Sequence, residues 1–222
     1  MTAKVITVFN QKGGAGKTTC SLHLAAGLAL TKKKSVLVVD ADDQGTASRW
    51  VASANNASPD EAKKFPGDIK NVFNFETRIH REIEKEIDDY DVIIIDCPPS
   101  AKSPVASGAL VVSDLAVIPV QPTPQDMWAL PKALTLVDSA REKNKDLKAL
   151  VVANRVTRTS IASAVVEQLG NQTFPLAKAS LANRTAFSDF TVPTGTAYGS
   201  RDKKAIAEIN ELVNEVAHAL SL

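Results

Sequence analysis

VITVFNQKGGAGKTT, residues 5–19, carries an apolar run into three glycines and a lysine–threonine pair. An apolar strand, a glycine-rich turn and a helical pattern in that order form the setting of a phosphate-binding loop. Gly13, Gly14 and Gly16 let the backbone turn and point successive N–H groups inward at phosphate oxygens. The helix that follows adds the positive end of its dipole. Lys17 then reaches the β- and γ-phosphates, and the Thr18 hydroxyl ligates Mg²⁺. A glycine turn that merely joins strand to helix is the alternative. The usual pattern G-x-x-x-x-G-K-[ST] fails at its first position, where Gln11 stands beside a second lysine, Lys12. So early in the loop, Lys12 is expected to project away from the phosphates that Lys17 serves. Its charge is either solvated or available to the nucleotide of a facing subunit, in the manner of an arginine finger.

The other strand candidates are SVLVVD (35–40), DVIIID (91–96), LAVIPV (115–120) and LKALVVAN (147–154), with VITVFN (5–10) the first. All are near-continuous apolar runs, as parallel strands covered on both faces require. Helical patterns fall at roughly 17–31, 76–89, 124–143, 160–169 and 203–220. This alternation predicts an α/β fold: a doubly wound, mainly parallel sheet flanked by helices, resembling P-loop NTPases. The polar stretch SANNASPDEAKKFPGD (53–68) reads as a surface excursion, and residues 1–222 as one domain.

Bulk properties limit the function classes. The 222 residues are 44% hydrophobic with a formal net charge of +1, which suits one sizeable core and argues against a constitutively sticky nucleic-acid binder. Cys20 and Cys97 are the only cysteines, so neither a disulfide framework nor a structural zinc site is expected, and a reducing cytoplasm is the natural home. The N-terminus MTAKVITVFN lacks the form of a signal peptide, and no run approaches a membrane span. His23, His80 and His218 are scattered without metal-ligand spacing.

KGGAGKTT resembles the deviant Walker A motif, K-G-G-x-G-K-[ST], of the ParA/MinD superfamily of dimerising ATPases. The resemblance implies ATP and Mg²⁺ as cofactors, with Gly13, Gly14, Ala15, Gly16, Lys17, Thr18 and Thr19 around the nucleotide. It also implies that Lys12 contacts the partner subunit's nucleotide across a face-to-face homodimer. VLVVDADDQGTAS (36–48) is similar to the family's D-x-D-P-Q motif with Asp43 in place of Pro. That likeness assigns Asp40 to the hydrolytic water, or to Mg²⁺ through a water; an ordinary helix-capping aspartate is the alternative. DVIIIDCPPS (91–100) has the form of a Walker B strand, in which Asp96 binds Mg²⁺ through a water and Pro98–Pro99 stiffen a switch turn. Asn154 and Arg155 resemble the pair beside the adenine, and no N-K-x-D guanine motif occurs.

Some relatives hold an iron–sulfur cluster with a cysteine after this aspartate. A bridging cluster needs a second ligand per subunit, and Cys20 lies inside the helix after the loop, so no cluster is expected and Cys97 reads as a small buried filler.

MinD-like relatives insert a basic terminal helix in membranes, whereas ParA-like relatives bind DNA without sequence preference. Here KKAIAEINELVNEVAHALSL sets Glu208, Glu211 and Glu215 against a stripe of Ile206, Ile209, Val213, Val216 and Leu220. That acidic face opposes anionic lipid, so the helix is expected to pack on the sheet. Between residues 155 and 204 seven basic residues face three acidic ones. By resemblance Arg184, Arg201, Lys203 and Lys204 are the DNA-backbone candidates, a solvated charged face being the alternative. The implied function is a small ParA-type positioning ATPase, cytoplasmic and nucleoid-associated. Its ATP dimer coats DNA, and a ParB-like or adaptor protein stimulates hydrolysis. A MinD-like membrane-surface ATPase is the runner-up.

Overall fold

A computed structural model describes residues 2–57, 59–73, 78–99, 104–171 and 174–222. Strands β1 (Lys4–Val8), β2 (Val36–Asp40), β3 (Asp68–Asn71), β4 (Val92–Asp96), β5 (Leu115–Val120), β6 (Lys148–Val156) and β7 (Leu181–Ala182) form one sheet. Its order is β3-β2-β4-β1-β5-β6-β7, and every paired strand runs parallel to its neighbour. Helices α1 (Lys17–Lys32), α2 (Thr46–Ala57), α3 (Ile79–Glu84), α4 (Pro104–Val111), α5 (Pro124–Arg141), α6 (Ser160–Gly170) and α7 (Lys203–Leu220) cover its two faces.

The period of two along each strand explains the unbroken apolar runs. Ile6, Val8, Val38, Ile94 and Val117 point into one core with α1 and α7. Their neighbours Val5, Leu37, Val39, Ile93, Ile95 and Ile118 point into the other, beneath α3, α4 and α5. Helix α1 packs against both the sheet and α7, so Cys20, Leu22, Leu24, Ala25 and Leu28 are buried around its circumference. The stripe of α7 is spent the same way: Ile209, Val213, Val216 and Leu220 are buried in the first core, and Ile206 is half-buried. No helix among the described residues is long and apolar enough to cross a membrane.

Five elements depart from the sequence reading. Residues 46–57 form α2, and the excursion expected at 53–68 gives way at Asp68 to β3, an edge strand whose DIKN sequence carries no apolar alternation. Helix α4, PVASGALV, is apolar without a helical period. Strand β7 spans two residues. The helix expected at 76–89 is the shorter α3, its first residues lying outside the described ones.

Candidate functional site

The carboxyl ends of β1, β2 and β4 meet at the centre of the sheet, where Asp96 is in register with both Val8 and Asp40. Parallel sheets bind ligands at such a switch point. The segment from Phe9 to Gly16 leaves β1 here and returns as α1. Gly14 and Gly16 take left-handed φ values of 77° and 94°. A Cβ on Gly16 would lie 1.9 Å from Asn154 Nδ2, so the position requires glycine on both counts. No side chain caps the start of α1, leaving its first N–H donors free for an anion.

Lys17 is buried on the first turn of α1, with Nζ turned back 3.2 Å from the carbonyl oxygen of Lys12. Burial lowers its pKa, and the nearby Asp96 and Asp42 carboxylates act the other way. The Thr18 hydroxyl donates to Asp96 Oδ2 at 2.7 Å, and Ser21 Oγ lies 3.0 Å from Asp96 Oδ1 and 3.0 Å from the Lys17 carbonyl. Burial pushes the Asp96 carboxyl up to about 7, the Thr18 and Ser21 hydroxyls pulling against it. A threonine hydroxyl and a carboxylate, hard oxygens on a rigid helix start and strand end, fit a magnesium ion shared with phosphates. Ser21 escaped the sequence reading, although its position three residues after Thr18 puts both hydroxyls on one helix face.

Asp40 has another occupation. It is fully buried, and its Oδ2 accepts from the Ser48 N–H at 2.8 Å and the Ser48 hydroxyl at 2.7 Å. Its Oδ1 accepts from the Asp42 N–H at 3.3 Å. The carboxylate expected to hold water therefore anchors the first turn of α2. Asp42 is less committed: one oxygen accepts from the Gln44 N–H at 3.0 Å, and its charge is felt at Lys17. Burial, with Asp43 and Asp40 nearby, holds its carboxyl above the usual range.

Asn154, expected beside the adenine, stands against the loop. It is buried, and its Nδ2 donates to the Ala15 carbonyl at 2.8 Å, bracing the loop from below. Arg155, at φ 53°, is exposed and lines a narrow cleft with Thr19, Asn183, Arg184 and Phe187. Of the DNA candidates, Arg184 is engaged within the fold. Its Nε and Nη2 donate to Glu208 Oε1 at 2.9 and 2.7 Å, and Nη1 lies 3.5 Å from Asp202. Glu208 also accepts from the Ala182 N–H, and Glu215 from those of Lys178 and Ala179, so two acids of α7 satisfy the backbone around β7. Arg201, Lys203 and Lys204 are exposed at the start of α7. Both cysteines are buried, and burial holds both thiols protonated.

Lys12 points away from Lys17. Its Nζ lies 2.5 Å from Asp126 Oδ2 on the first turn of α5, while its N–H donates to Asn10 Oδ1 at 3.0 Å. Gln11 Nε2 donates to the Lys132 carbonyl at 3.4 Å, and Gln121 Nε2 to that of Gly14 at 2.5 Å. The loop is thus held against the β5–α5 connection on one side and against Asn154 on the other.

A parallel sheet with this loop at its switch point defines a P-loop nucleotide-binding protein. The chain belongs to the CobQ/CobB/MinD/ParA nucleotide binding domain family, whose pattern matches residues 6–190. It is similar to maintenance of carboxysome distribution protein A of Halothiobacillus neapolitanus, 31% identical over 220 residues and covering 96% of each chain. Sporulation initiation inhibitor protein Soj of Bacillus subtilis is 30% identical over 203 residues, covering 75% of this chain and 78% of Soj. Cobyrinic acid a,c-diamide synthase of Mycobacterium smegmatis, solved with ADP and magnesium, shares the fold. Its TM-score is 0.77 at 20% identity, over 99% of this chain and 96% of that one.

Proposed function

We propose that this chain is a ParA-type ATPase whose ATP-bound homodimer holds DNA without sequence preference and positions a cargo. The observation that carries the reading is the division between two lysines of one loop. Lys17 Nζ is folded inside the loop, while Lys12 Nζ reaches out to α5. One loop in one subunit has no evident use for two phosphate-binding lysines facing opposite ways; a pair of subunits has.

When bound, Mg²⁺-ATP supplies the phosphoanhydride that is cleaved and the charge that the site must neutralise. The loop amides, Ala15 among them, and Lys17 bind the phosphates, with Thr19 beside the nucleoside end. Thr18 and Asp96 would hold the magnesium ion. Asp42 orients the attacking water in the place first expected of Asp40, because Asp40 is committed to Ser48. Arg201, Lys203 and Lys204 contact DNA phosphates, and two copies of this weak patch make binding depend on dimerisation. That DNA contact places the chain in the cytoplasm on the nucleoid, and a ParB-like or adaptor protein on the cargo stimulates hydrolysis and release. Likeness to a carboxysome distribution protein along nearly the whole of both chains favours a protein assembly as cargo over a plasmid or chromosome region.

The test is oligomeric state by light scattering with ATP, ADP and no nucleotide, for the wild type and Lys12→Ala. The wild type is expected to dimerise with ATP alone. The variant is expected to bind ATP yet remain monomeric. A Lys12→Ala protein that dimerises and hydrolyses ATP like wild type contradicts the assignment of Lys12.

A further inference from the structure

Asp126 is the one described residue with a buried side-chain polar atom lacking a hydrogen-bond partner, Oδ1. Its side chain is 1% exposed, that of Lys12 37%. All of its contacts fall on the other oxygen: Oδ2 takes the Lys12 ammonium and the Thr123 hydroxyl. The site is built around one oxygen of one carboxylate, on the first turn of an 18-residue helix whose cap is Thr123 and whose first residue is Pro124. The helix dipole supports a negative charge there. Lys12 supplies the only ammonium or guanidinium paired with that charge among the described residues. Withdrawal of Lys12 would leave a buried carboxylate uncompensated, a strongly unfavourable state.

We infer that Asp126 is a positioning residue that parks Lys12 in the monomer and sets how readily a second copy of this chain can claim it. The inference rests on the proposed reach of Lys12 across the dimer. The two destinations of Lys12 exclude each other, so the apparent affinity of dimerisation is reduced by the fraction of monomers in which the lysine is released. Asp126 thereby acts as a threshold on assembly. Nucleotide binding alone does not commit the chain to dimerise, because the loop must also give up its contact with α5.

The test is the dimer dissociation constant in a non-hydrolysable ATP analogue for wild type, Asp126→Asn, Lys12→Ala and the double variant. Asparagine keeps the shape and can accept the Thr123 bond but lacks the charge that holds Lys12. Asp126→Asn is expected to dimerise about tenfold more tightly than wild type, and the gain is expected to vanish in the Lys12→Ala background. A merely structural role for Asp126 weakens the dimer or leaves it unchanged, and either result overturns the inference. If Lys12→Ala itself dimerises like wild type, the trans role of Lys12 fails instead. A second measurement needs no variant. Amine labelling of the nucleotide-free wild type, read by peptide mass, is expected to modify Lys12 less than the exposed Lys203 and Lys204. Equal modification contradicts a parked lysine.

Discussion

His23 lies fully buried on α1 between two backbone groups of opposite character. Its Nδ1 is 2.8 Å from the Thr19 carbonyl, which can only accept, and its Nε2 is 3.0 Å from the Ala197 N–H, which can only donate. The ring is therefore neutral with its proton on Nδ1, and it ties the start of α1 to the segment before α7. Burial pushes its pKa down to about 4, from an ordinary value of 6.5. A base with a depressed folded pKa stabilises the protein above its unfolded value. That contribution is lost as pH falls from about 6.5 to about 4, amounting to about 3 kcal/mol over the whole window. Between pH 7 and pH 5, urea unfolding of the wild type is expected to lose about 2 kcal/mol more than unfolding of His23→Leu. Parallel losses would contradict this. Lys17, Thr18 and Asp96 were legible in the sequence because strand, glycines and helix fix their geometry through the backbone. The sequence reading favours Asp40 over Asp42 because Asp40 closes the strand. What separates them is the turn through Gly45, at φ 57°, which brings Ser48 back onto Asp40. Asn154 was expected beside the adenine, and its contact with the Ala15 carbonyl was not legible, because it exists only once β6 is set beside the loop.

At the scale of elements, α1 and α7 set the precision of the site, because α1 carries Lys17 and Thr18 and packs against α7 along its length. Gly27 lies in their contact. A Cβ there would lie 2.4 Å from Val213 Cγ2 and 2.5 Å from the Tyr198 hydroxyl. Tyr198 is itself held by Asn210 at 2.8 Å, and the branched Val213 sits in the core, so neither yields cheaply. Gly27→Ala is expected to cost about 1–3 kcal/mol despite the better helix propensity of alanine. Thermal unfolding would show it as a fall of roughly 2–10 °C, and an unchanged midpoint would mean that α7 can move away freely. The apolar stripe of α7 announced its packing, and its burial follows the sequence. The use of Glu208 and Glu215 did not show, because their partners are N–H groups of β7 and the chain before it, a pairing that exists only once the edge of the sheet is built. Short polar elements such as β3 were equally silent. Their hydrophobic period is absent, and their position is set by the neighbouring β2.

For the molecule as a whole, the formal net charge of +1 gives no general attraction to DNA, so the proposed binding requires a local patch used twice. With Arg184 engaged by Glu208 and Asp202, the patch reduces to Arg201, Lys203 and Lys204 at the exposed start of α7. The measurement that tests the account most directly is binding to non-specific duplex DNA at low and moderate salt, with ATP, ADP and no nucleotide. The account expects binding with ATP alone, a steep loss on adding salt, and a loss of at least tenfold in Arg201→Ala/Lys203→Ala/Lys204→Ala. Equal binding with ADP, or no binding under any condition, would contradict it.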